Sequence, residues 1–165
     1  MPVRTIEARL PASGLRVAIV VSKYHDFITD RLQAGAVAAL TAAGVGADCV
    51  TVVRVPGSFE VPAAARHAAE GGQFDAIVCL GCLIKGETPH MEFIASAVAH
   101  GLTAAAAATR VPMAFGVLTT NSVEEALARA GDGPSNKGRE AALAAIEMAD
   151  VVAQLARQAM PTREQ

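Results

Sequence analysis

Tryptophan is missing from this chain of 165 residues, tyrosine occurs once, and aromatic residues make up only 4%. A core built on stacked rings is thereby excluded. The 52% hydrophobic share is aliphatic and small, with 36 alanines, which suits close helix packing. Charge is scarce as well, at 18% against a usual ~25%. The net charge is −2, and no run of Lys or Arg exists, so the basic footprint of a nucleic-acid binder is absent. Long apolar runs are also lacking. The longest charge-free stretch, Phe93 to Thr109, contains Ser96, His100, Gly101 and two threonines. It falls short of the ~20 apolar residues of a membrane span. The N-terminus has no charged-then-apolar leader pattern. Cysteines number three (Cys49, Cys79, Cys82), an odd set in a chain large enough to fold without staples, which reads as a reducing cytoplasm. Disorder needs low hydrophobicity and high net charge, and both are absent. The length is that of one domain, taken here as 1–165, with an extended arm over 1–12 and a tail over 160–165.

What is present is an alternation. Continuous apolar, β-branched runs at 16–22, 48–55, 75–80 and 112–118 read as strands. Between them lie helical patterns. In the first, Ile28, Leu32, Ala36 and Leu40 recur on one face, Asp26 is a candidate cap, and Gly44 follows the end. Further helices are expected over 60–70, 89–108, 122–130 and 138–158, with Ser122 and Glu125 forming a capping box. Residues 3–9 alternate loosely, as an edge strand of this chain or of a neighbour would. The order predicts an α/β fold, a three-layer α/β/α sandwich with a four-stranded parallel sheet covered on both faces. Ligands in such sheets sit beyond the carboxyl ends of the strands.

Those ends carry the chemistry. Thr88 and Pro89 read as N-cap and first helical position after Gly86, and the free N–H groups there suit an anion. His90, in the first turn, is either a proton carrier beside that anion or an idle surface histidine. Arg129 and Lys137 flank a Gly-rich loop and are either anion ligands or solvated cations. Tyr24 and Phe59 could stack a flat heterocycle or simply cover helix ends. Glu60 could hold a polyol or complement the dipole of its helix. Cys79 and Cys82 form a C-x-x-C string, but along a strand they point to opposite faces, so two buried small residues is the better account. The glycines match neither a dinucleotide fingerprint nor a P-loop.

Together, VSKYHDFITDRLQAGA (21–36), VPGSFEVP (55–62), LGCLIKGETPHMEFI (80–94), FGVLTT (115–120), RAG (129–131) and NKGREAA (136–142) resemble lumazine synthases over nearly the whole chain. The resemblance implies a flavodoxin-like fold and the penultimate step of riboflavin synthesis. In it, a ribitylamino-pyrimidinedione and dihydroxybutanone phosphate become dimethyl-ribityllumazine, phosphate and water, with no metal or organic cofactor. It implies that Tyr24 stacks on the pyrimidine, and that Ser58, Phe59 and Glu60 hold the ribityl chain. Cys82, Leu83 and Ile84 would line the pyrimidine, Gly86, Glu87 and Thr88 the phosphate, and His90 would transfer protons. Phe115, Arg129 and Lys137 would enter from an adjacent subunit, within a pentamer or a sixty-subunit capsid. Riboflavin synthase is a candidate partner. His25 departs from the pattern: many relatives have Asn there, with a different reach for its donor and acceptor. The other classes to weigh are a flavin or lumazine carrier, a purely structural shell protein and a thiol oxidoreductase.

Overall fold

The computed structural model describes residues 2–159. Four strands, β1 (Val17–Ser22), β2 (Val50–Val55), β3 (Ala76–Ile84) and β4 (Met113–Thr120), form one parallel sheet in the order β2-β1-β3-β4. Five helices cover it: α1 (Asp26–Ala42), α2 (Val61–Glu70), α3 (His90–Thr109), α4 (Val123–Arg129) and α5 (Lys137–Ala159). This is the expected three-layer α/β/α sandwich of flavodoxin-like type.

The sheet divides the core. Strand side chains alternate, so Val17, Ile19 and Val21 enter one cluster with Leu32, Leu40 and Ile146 of α1 and α5, whereas Ala18 and Val20 enter the other with α2 and α3. Every residue of β1 is buried, as a central strand with helices on both faces requires. Alanine and glycine bring the layers close. A Cβ on Gly138 would collide with the backbone of Leu32, so α5 lies directly on α1. Next to this crossing Asn136 pins the preceding loop. Its amide donates to the carbonyls of Arg31 (3.2 Å) and Gly131 (3.0 Å), and its Oδ1 accepts from the N–H of Arg139 (3.0 Å). The α3 helix has the length of a membrane span, yet Val98, Leu102 and Ala105 are buried against the layer it covers, like those of any sandwich helix. Its far side, including Ala97, Ala104 and Ala107, is exposed in the single chain.

Several local expectations change. Asp26 does not cap α1. The residue before the helix is His25, held in the left-handed region (φ 59, ψ 48), and no side chain caps the first turn. Thr88 does not cap α3 either; Pro89 occupies that place and the helix begins at His90. A 3-10 turn over Ser58–Glu60 leads into α2, and another over Ala47–Cys49 leads into β2. Both β3 and β4 run further than expected, to Ile84 and Thr120. The Ser122 capping contact forms, its Oγ accepting the N–H of Glu125 at 3.2 Å. Residues 3–9 form no strand within this chain; they lie along α5, where Asp150 accepts the N–H of Arg9 (2.8 Å) and Gln154 donates to the Glu7 carbonyl (2.7 Å). The tail over 160–165 falls outside the described residues.

Candidate active site

In a sheet of order 2-1-3-4 the chain reverses its direction of winding between β1 and β3, which opens a crevice at their carboxyl ends. A cavity of about 870 Å³ occupies that place. Tyr24 and His25 reach it from the end of β1, Ser58, Phe59 and Glu60 from the end of β2, and Cys82, Leu83 and Ile84 from β3. Gly86, Thr88 and His90 close it from the turn into α3. Glu87 lies exposed on that turn without lining the cavity.

Backbone bonds carry the ladders past the strands and hold these turns. Lys23 donates to the Val55 carbonyl (2.8 Å) and Tyr24 to that of Pro56 (3.1 Å), extending the β1–β2 pairing to the cavity rim. Lys85 donates to the Thr120 carbonyl (2.8 Å), fixing the start of the 85–89 turn. Within β3, a Cβ on Gly81 would come 2.5 Å from Ser58 Oγ, so glycine is what admits the 58–60 turn against the strand. The first backbone bond across the start of α3 runs from the N–H of Phe93 to the Pro89 carbonyl (3.3 Å). The N–H groups before it, those of His90 and Met91 among them, have no intrahelical partner in such a first turn, and both residues line the cavity, so an anion bound there would gain from them.

Phe115, Arg129 and Lys137 sit elsewhere. They share a separate cavity of about 260 Å³ along the outer edge of β4. Arg129 ends α4 and Lys137 begins α5, and the loop pinned by Asn136 brings them together. Arg129 Nη1 donates to the Glu125 carbonyl (3.0 Å) and Lys137 Nζ to Glu140 (2.7 Å). One chain thus presents two unlike surfaces: an aromatic cavity with an imidazole and free N–H groups, and a cationic edge.

The model of the family described as 6,7-dimethyl-8-ribityllumazine synthase matches residues 14–153, spanning both surfaces. The chain belongs to this family. Curated lumazine synthases from Chlorobaculum tepidum and Syntrophus aciditrophicus are 47% and 46% identical to it, each over 94% of this chain and 100% of the relative. One from Chlorobaculum parvum is 45% identical over 94% of the chain and 99% of its own length.

For a lumazine synthase the scarce aromatics are well spent. Tyr24, Phe59 and Phe93 line the larger cavity and Phe115 the smaller. Phe93 was not foreseen, nor were Gly57, Met91, Ile94 and Val123. The spacing of His90, Phe93 and Ile94, three and four apart on one helix face, carried that signal. The C-x-x-C string does not bring its two thiols to one face of the sheet. Cys79 packs toward α2 and α3 and Cys82 toward the opposite layer. Burial pushes the Cys79 thiol up to about 12 and that of Cys82 to about 11, so neither is a thiolate at neutral pH. Replacing both with Ala is expected to keep lumazine formation within about threefold of the parent, as for small apolar packing residues. Complete loss of product in a folded double variant would restore the thiol reading.

Proposed function

We infer that the larger cavity is where this lumazine synthase condenses 5-amino-6-(D-ribitylamino)uracil with 3,4-dihydroxy-2-butanone 4-phosphate, releasing phosphate and water. One observation carries the reading. The side chains suited to a flat heterocycle, a polyol and an anion converge on one crevice at the reversal point of the sheet. Tyr24 stacks on the pyrimidine, Glu60 and the 58–60 turn hold the ribityl hydroxyls, and the start of α3 faces the phosphate. The chemistry needs imine formation, phosphate departure and ring closure with loss of water. Each step moves protons, and none needs a hydride or a radical. His90 takes and returns them, while positioning supplies much of the rate. Combining both substrates with the protein should generate lumazine fluorescence; binding without product would instead mark a carrier. His90→Ala should slow turnover about 10²-fold without abolishing it, the low end for loss of a general acid–base. An unchanged kcat would remove His90 from this role.

The cationic edge completes the site from a neighbouring copy. The larger cavity and the outer edge of β4 share no lining residue within one chain, so a ring of subunits would bring each cavity to the next chain's Arg129, Lys137 and Phe115. The exposed alanine face of α3 is the surface where small side chains let copies approach closely. A pentamer follows the family resemblance. Closure of twelve such pentamers into a capsid is the larger assembly the same resemblance implies. Light scattering separates about 85 kDa from about 1 MDa, given the 16.9 kDa subunit. The free cysteines suit a reducing cytoplasm.

A further inference from the structure

Three rings stand in sequence, and those of Tyr24 and His25 line the larger cavity. The His25 ring lies 4.4 Å from that of Tyr24, inclined at 61°, and 5.8 Å from that of Phe27, at 90°. The His25–Phe27 pair falls within the range of attractive edge-to-face pairs, and the Tyr24–His25 pair stands at its short limit. Tyr24 lines the cavity yet is 67% exposed, so burial in the core does not fix its ring. Phe27 does not line the cavity. We propose that Phe27, acting through the His25 ring, holds Tyr24 in the orientation that stacks on the heterocyclic substrate. Both residues are then positioning residues of the site. This rests on the assignment of Tyr24 to the pyrimidine given above.

The backbone explains why histidine can serve here. At φ 59 a side chain with a Cβ is disfavoured, and Asn, Asp and His are the non-glycine residues that tolerate the region best. Asn, found here in many relatives, would satisfy the backbone but supply no ring. His supplies both. Partial burial lowers its pKa, so at neutral pH the group between Tyr24 and Phe27 is an uncharged aromatic. Ordering a mobile side chain costs an interface part of its affinity. A ring already held by its neighbours has met that cost before the ligand arrives.

A double-mutant cycle tests this, read by steady-state kinetics with 5-amino-6-(D-ribitylamino)uracil as the varied substrate. Phe27 is 47% exposed, so its loss leaves the core intact. Phe27→Ala and His25→Asn should each raise KM for the pyrimidine by about two- to tenfold, with kcat within about twofold, as loss of one aromatic pair implies. Phe27→Tyr, which keeps the ring, should restore the parent KM. In a Tyr24→Ala background, Phe27→Ala should add nothing. A Phe27→Ala effect that persists without Tyr24, or no effect in its presence, overturns the inference and leaves the stacking role of Tyr24 standing. A Tyr24→Ala variant with the parent KM would remove that stacking role, and the inference with it.

Discussion

Replacing Arg129 with Ala is expected to lower kcat/KM for dihydroxybutanone phosphate by roughly 10²–10³, the loss seen when one preorganised donor is removed from developing negative charge. A guanidinium offers paired donors that match a phosphate. Nothing in the fold depends on it. Its side chain is exposed, and its bond to the Glu125 carbonyl lies within its own helix. The cost to stability should be within about 0.5 kcal/mol, as for other surface changes. Its placement comes from elsewhere, from the Ser122 cap at one end of α4 and from Asn136 holding the following loop. Arg129→Lys keeps the charge without the fork and should recover only part of the loss. Inorganic phosphate, as a competitive inhibitor, should weaken in parallel, while KM for the pyrimidine stays close to the parent value. A parent-like KM for the phosphate substrate in Arg129→Ala would place the phosphate elsewhere.

Much of this architecture was legible because its strands are buried on both faces. Continuous apolar runs such as Val17–Val21 have no other reading when helices separate them, and the strand-end rule then pointed to turns that line the larger cavity. What sequence misjudged were boundaries that tertiary contacts set. The apolar run at 75–80 reads as a strand that stops before Gly81. In the fold, glycine at 81 makes room for Ser58, and pairing with β4 carries the strand on to Ile84. Asp26 and Thr88 have the chemistry of helix caps, yet neither caps. The bond from the Tyr24 N–H to the Pro56 carbonyl fixes the chain before α1, and His25 takes up the sharp turn that follows. The cavity contacts of Met91, Phe93 and Ile94 were missed for a related reason. They read as an ordinary helix face until packing sets the first turns of α3 beside the 58–60 turn. The resemblance named the residues of both surfaces and assigned them to different subunits; the fold puts them in two distinct cavities of one chain.

That separation yields the strongest test of shared sites. A His90→Ala chain and an Arg129→Ala chain, each nearly inactive, should regain activity when unfolded together and reassembled as mixed rings. In the ring proposed above, each site would take its aromatic cavity from one chain and its cationic edge from the next. With equal amounts and random order, about a quarter of the sites draw the intact cavity from an Arg129→Ala chain and the intact edge from a His90→Ala chain. Those sites are of parent composition. Activity should therefore approach about a quarter of the parent's, more than tenfold above either variant reassembled alone, given the roughly 10²-fold losses expected for each. It should vary with mixing ratio and peak at equal amounts. If each chain instead closed its site with its own Arg129, mixing could create no parent site, and the mixture would show only the average of the two variants. The cavities as they stand in one chain, one at the strand ends and the other along the outer edge of β4, favour the first outcome. A control mixture of His90→Ala with a chain carrying both changes should gain nothing, since no chain in it supplies an intact His90.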